Sequence, residues 1–374
     1  MSDDAPPAFV AAENGPYARP TSVVARRAVL RLAVLTAIAS SLAACGDGGG
    51  ARDPGDVELV KSDLARSTGR PDAIPQVVDA LHGLAGGLYG QLATKQGNMV
   101  LSPYSVAVAL GMTLPGAAGR TASEIRHVLG VRDDALFHSG LNALTAYLEG
   151  LAGTQHRTDG TGAELALEGA NQLYGQEGVA WERDFLDLLA REYGAGVRTV
   201  DYQDAPETAR AVINAWVADR THDRIPELIP AGVLNTLTRL VLVNALYLKA
   251  PWEHPFEKSS TSSSAFHRSD GSTINVDTMQ EPLLATTMTR GKGWRAAQLP
   301  YAGRSVAMTL VLPDPGRLRQ VEQQVTSGGL AEVLAVGRDV ILDVRLPRWT
   351  FRSQSALNDA LQQLGMRTAF DPAA

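Results

Sequence analysis

The run Leu240–Leu248 is apolar at every position except Asn244. A strand with one wet face would alternate, so an unbroken apolar run of this length predicts a strand covered on both faces. Such a strand needs layers above and below it, which constrains the whole chain to a core built around a sheet. Asn244 is the exception that needs explaining. A buried amide without a partner costs about 1–3 kcal/mol, so this residue requires a hydrogen-bonding neighbour.

The segments around this strand read in sequence order. Val77, Leu81, Leu84, Ala85, Leu88 and Leu92 recur at helical spacing. Ser102-Pro103 has the form of an N-cap followed by proline in the first turn. Thr121-Ala-Ser-Glu124 has the form of a capping box, opening a short helix that ends near Gly130. Helices are predicted from Asp133 to about Leu151, from Trp181 to Tyr193 with Gly194 as the stop, and from Thr208 to about His222. Glu164 to Tyr174 alternates and reads as a strand. Asp270-Gly271 marks a hairpin between Ala265–His267 and Thr273–Val276. A second hairpin joins Trp294–Pro300 to Ser305–Leu312 across Ala302-Gly303. Val340–Leu346 is a strand, and Ser355–Leu364 a helix stopped by Gly365. Helices come early and hairpins late, which predicts an α+β fold with large antiparallel or mixed sheets.

The N-terminus reads as an address. Arg26, Arg27 and Arg31 precede a short apolar run from Leu32 to Ala44, too short to span a bilayer comfortably. The run ends in Leu42-Ala43-Ala44-Cys45, similar to the lipobox of bacterial lipoproteins, in which the cysteine thiol receives a lipid and becomes the new N-terminus. Residues 1–45 are therefore expected to be a signal peptide with a lipobox, and 46–75, rich in Gly, Asp, Arg and Pro, a flexible tether. Residues 76–374 carry the domain. Cys45 is the only cysteine, so no internal disulfide can form and the fold rests on its core. The net charge of −6 offers no basic surface for nucleic acid.

A search for catalytic chemistry finds no catalytic residues and no metal or cofactor site. The seven histidines (82, 127, 138, 156, 222, 254 and 267) form no pair at metal-ligand spacing. There is no G-x-S-x-G elbow, no S-x-x-K pair and no Walker pattern. Gly291-Lys-Gly293-Trp-Arg-Ala296 loosely matches a dinucleotide fingerprint, but it precedes a strand where that motif needs a helix.

A larger set of residues carries a family resemblance. It comprises Asn98, Ser102-Pro103, Ser105, Ala109-Leu110, Gly116-Ala117, Gly119 and Thr121 early, and Ile213-Asn214, Trp216-Val217, Thr221 and Ile225 in the middle. It continues with Asn244, Lys249, Trp252, Pro255-Phe256, Asp277-Thr-Met279, Leu299-Pro300-Tyr301, Leu346-Pro347-Arg-Trp349 and Leu361–Phe370. In this order and spacing the set resembles the serpins over roughly residues 76 to 374. The resemblance implies a serpin-like fold with a large central sheet and an exposed reactive loop. A target serine (or cysteine) protease cleaves the loop and stays acyl-linked to it while the loop inserts as a new strand. The resemblance assigns Ser102, Ser105 and Asn244 to the shutter beneath the parting strands, and Trp252 to the breach where insertion begins. After the segment ending at Phe370 the family continues with a further strand, the hinge, the reactive loop and a last hairpin. The chain therefore reads as C-terminally truncated, with the scissile residue unassigned and with no trapping expected of the 374 residues by themselves.

Two functions follow as expectations. The first is a monomeric serine-type endopeptidase inhibitor, held outside the cytoplasm by a lipid anchor or secreted. The alternative is a non-inhibitory serpin-fold binding lipoprotein. An extracytoplasmic hydrolase has no residue support. The address is testable: Cys45→Ser should move the protein out of the membrane fraction of a bacterial host and change its processing. An unchanged membrane pool with unchanged processing would refute lipidation.

Overall fold

The computed structural model describes residues 57–93, 97–268, 271–351, 353, 355 and 357–371. Cys45, the signal segment and the first part of the expected tether lie outside these residues. In chain order the elements begin with β1 (Leu59–Val60), α1 (Ile74–Leu92), α2 (Pro103–Thr113), α3 (Gly119–Leu129) and α4 (Asp134–Glu149). Next come β2 (Gly153–His156), β3 (Gly162–Gln176), α5 (Arg183–Leu188), β4 (Val197–Val200), α6 (Pro206–Arg220) and β5 (Leu240–Lys249). The remainder is β6 (Ser262–His267), β7 (Thr273–Gly291), β8 (Trp294–Pro300), β9 (Ala307–Pro313), α7 (Leu318–Gln324), α8 (Leu330–Leu334), β10 (Arg338–Pro347) and α9 (Asn358–Gln363).

The chain divides into two compact units. One holds the early helices, residues 166–176 of β3, and β1, β4, β5, α5, α6 and α9. There β5 runs antiparallel to β3, β4 runs parallel to its end, and β1 pairs with β4. Helix α6 closes one face of this sheet: Ile213, Trp216 and Val217 pack with Tyr174, Val200, Tyr202 and Val243. Helix α2 is apolar all round, burying Tyr104, Val106, Ala107, Val108, Leu110 and Met112, as a core helix must. It packs against β5. Helices α1 and α4 meet closely because position 140 is glycine. A Cβ there would come within 2.9 Å of both Ala73 Cβ and Val77 Cγ2.

The other unit is dominated by one antiparallel sheet, ordered β10-β7-β8-β9, with β6 also pairing with β7. The register between β7 and β10 shifts between Leu342 and Val344. Leu284, Met288, Ala297, Leu299, Leu342, Val344 and Leu346 form its core. Both predicted hairpins are present, β6–β7 and β8–β9. The sequence reading of β7 stops at Val276, whereas the strand continues to Gly291. Charged and threonine positions beyond Val276 break the apolar pattern there, but ladder pairing with β10 and then β8 sustains the strand.

Three expectations need correction. Residues 57–75 are not a free tether. β1 pairs with β4, the Ser67 amide donates to Arg191 O at 2.8 Å, and Arg66 Nε donates to Asn142 Oδ1 at 2.8 Å. Asn142 is buried, and its amide also donates to Ser67 O at 3.0 Å. Polar residues that look like linker composition are here the partners of a buried amide. Second, Leu240–Leu248 is not covered on both faces along its length: only Val243, Ala245 and Leu248 are buried. Among the described residues β5 pairs with β3 alone, so it lies at the edge of its sheet and the run stays half-exposed.

Third, Thr121–Glu124 is not a capping box. Helix α3 starts three residues earlier, with Ala118 as N-cap. Glu124 instead accepts from the Arg367 amide at 2.8 Å, the Thr368 amide at 2.7 Å and the Thr368 hydroxyl at 3.0 Å. It ties the turn after α9 to α3. The Thr368 amide, then the Arg367 amide, the Thr368 hydroxyl and Arg120 hold its carboxyl at about 2, against an opposing effect of desolvation. The folded value lies below the ordinary 4.5, so this stabilisation is complete above pH 4.5 and is lost as pH falls towards about 2. Glu124→Gln should remove that pH dependence. In urea unfolding, the stability gap between wild type and variant should narrow through this window; a constant gap would refute the assignment.

Candidate functional site

The residues assigned by family resemblance lie in two places, one in each unit. In the first unit, Ser102 stands at the N-terminus of α2 with extended backbone angles (φ −115°, ψ 95°). Its Oγ accepts from the Ser105 amide at 3.2 Å, the ordinary duty of an N-cap serine. Pro103 suits the first turn because its missing N–H would have had no helical partner. Both serines are half-buried. They sit on the helix that packs against β5, the strand carrying Asn244.

Asn244 faces Asn171 in the β3–β5 register, and its Nδ2 donates to Asn171 Oδ1. The Asn244 Oδ1 is buried and has no donor among the described residues. Half of the amide is therefore satisfied by the neighbouring strand and half is not. Satisfied buried amides are the rule, so the orphaned oxygen marks a position prepared for one more donor. Asn171 itself was not singled out from the sequence. The alternation over Glu164–Tyr174 finds its strand, but periodicity carries no register, and the register is what sets the two amides opposite each other.

In the second unit, Trp252 bridges to Tyr301 across an antiparallel pair, with the rings stacked at 4.6 Å and 13°. Phe256 meets the indole edge-on at 6.1 Å. Arg157 Nε donates to Trp252 O at 2.8 Å, and the Glu253 amide donates to Pro300 O at 3.0 Å. Glu253 is buried. Burial pushes its carboxyl up, but the Thr158 amide and hydroxyl, the Gly303 amide and Arg304 together bring it below the ordinary value. Burial raises the Tyr301 phenol to about 12, so it stays neutral. Trp252 is thus held by Tyr301, Phe256 and Arg157 at the margin of the Leu284–Leu346 core. Arg157 and Glu253 carry no motif in the sequence that would single them out.

Comparison with known proteins is consistent across sequence and fold. The family model described as Serpin (serine protease inhibitor) matches residues 79–374. An uncharacterized serpin-like protein of Thermococcus kodakarensis is 31% identical over 79% of this chain and 66% of its own length. The leukocyte elastase inhibitor of Bos taurus is 33% identical over 73% of this chain and 72% of its own. Emu ovalbumin shares the fold at a TM-score of 0.70 and 22% identity, covering 78% of each chain. A structure described as cleaved Serpin 42Da gives 0.70 at 26% identity, covering 78% of this chain and 77% of its own. The chain belongs to the serpin family and has its α+β fold. It spans about two thirds of the length of the curated relatives it matches, among them protease inhibitors at about the same identity.

The Asn171–Asn244 pair can be weighed directly. A double-mutant cycle of Asn171→Ala and Asn244→Ala, read by urea unfolding, should give a coupling of about 1 kcal/mol. Strict additivity would mean that the two amides do not interact.

Proposed function

We propose that the protein is a serine-type endopeptidase inhibitor that works by reactive-loop insertion, with Ser102, Ser105 and Asn244 as its shutter and Trp252 at its breach. The observation that carries this reading is Asn244. It interrupts an apolar strand, pairs with Asn171 on the neighbouring strand and leaves its Oδ1 buried without a donor among the described residues. A strand that exchanges neighbours during function needs a polar group whose partners can change. A strand serving only as core would be better filled by leucine. The same proposal places the protein outside the cytoplasm as a monomer, anchored through Cys45 beside the proteases it meets.

The test is a covalent complex that survives denaturing electrophoresis. The product of the full gene should be mixed with a panel of serine proteases. A band at the summed mass of protein and protease is expected. Asn244→Ala should shift the outcome from trapped complex towards simple cleavage. Cleavage by the panel with no complex at any ratio would overturn the inhibitory reading in favour of the binding lipoprotein.

A further inference from the structure

A polar cavity of about 420 Å³ lies in the first unit where β3, β4 and the C-terminal end of α6 come together. It exists because β4 pairs only with Leu173–Gln176 of β3. Beyond that point the edge of β3 at Gly169–Gln172 lines open space. Gln172 closes one corner, with its Nε2 donating to Gly196 O at 3.1 Å.

The charges around this cavity do not cancel. Its two carboxylates are already engaged. Glu149 is held by Arg66 at 2.9 Å, and Glu192 accepts from Arg191 at 3.1 Å and from Asn142 and Ser67 at 3.3 Å each. Two arginines remain. Arg198 points from β4, its Nε–H is fully buried, and no acceptor reaches it among the described residues. Arg220 points from α6, lies 5.9 Å over the Trp216 ring, and among the described residues pairs only with the exposed Asp219, at 3.8 Å. Both arginines line the cavity. Both act on the hydroxyl of Tyr174, drawing its pKa down against the larger upward push of burial. That hydroxyl is itself buried without a partner. A buried donor lacking an acceptor is costly, and two like charges lining one cavity with no free carboxylate between them add repulsion. An oxyanion relieves both, because guanidinium forks match its geometry.

We propose that this cavity binds a small molecule through a doubly charged oxyanion of the phosphate or sulfate type, held between Arg198 and Arg220. The volume exceeds what one such group needs and lies in the usual range for small-molecule sites. The bound group joins α6 to β4, so occupancy stabilises the folded chain by mass action.

The experiment titrates the 374-residue chain with inorganic phosphate, and separately with sulfate, in isothermal calorimetry and thermal unfolding, with chloride at matched ionic strength as the control. One saturable site is expected for at least one of the two anions, with a rise in the unfolding midpoint that chloride does not give. Arg198→Ala and Arg220→Gln should each weaken binding about tenfold or more (about 1.4 kcal/mol). Arg183→Ala, an exposed arginine outside the cavity, should leave it unchanged. Arg220→Gln alters a half-exposed side chain at a helix end, so it decides the matter should Arg198→Ala fail to fold. A rise that never saturates, equals that in chloride, or persists in Arg220→Gln overturns the site.

Discussion

The pairing of β3 with β5 is the constraint on which the first unit depends. Ten consecutive register pairs, from Ala166↔Lys249 to Gly175↔Leu240, join them without a bulge. With a single cysteine the chain has no disulfide to close its loops, so this ladder and the packing on its two faces must do so. The strands are far apart in sequence, and α5, β4 and α6 all lie between them. Forming the ladder fixes those elements together: α6 drops onto the Tyr174–Val243 face, while α2 packs against β5. A shift of one residue would turn Val243 and Ala245 outward and separate Asn244 from Asn171. The polar pair thus selects the register that the apolar residues then reward.

How far the sequence discloses this structure depends on the type of signal. Helix caps made by the side chain itself can be legible: Ser102 caps α2 as its place before Pro103 suggests, and Asp133, read only as the start of α4, caps it too. The Thr121–Glu124 pattern misleads because Glu124 has better acceptors' work with amides more than two hundred residues away, and nothing local records that. The Leu318–Leu334 helices went unread for a similar reason. Polar glutamines dominate α7, and its place is fixed by a distant contact, Trp294 Nε1 donating to Gln324 Oε1 at 2.8 Å. Family resemblance found Asn244 and Trp252. It could not find Asn171, Arg157 or Glu253, whose importance comes only from what they touch.

The apolar run over β5 shows the same limit from the other side. Its composition suits a strand with neighbours on both edges and cover on both faces, yet among the described residues one edge has no partner. Leu240, Val241, Leu242, Leu246 and Tyr247 are only partly buried as a result. Composition records every environment a strand must accept, whereas a single structure holds one of them. An edge this apolar and this long invites another strand, and charged or proline residues that would discourage it are absent between Leu240 and Leu248.

The half-satisfied amide and the unpaired edge belong to one argument. If β5 kept a fixed neighbour, the cheapest residue at 244 would be aliphatic, since burying half an amide unpaired costs of order 1–3 kcal/mol. If β5 were simply a solvent-facing edge, alternation with charged residues would protect it from unwanted pairing. The chain does neither. It keeps the edge apolar and places one amide in its middle, bonded on one side to Asn171. That combination is stable enough to persist and is improved by a further donor arriving from the open side. Under the proposed inhibitory function, a strand arriving beside β5 would bring the donor that Asn244 Oδ1 lacks among the described residues.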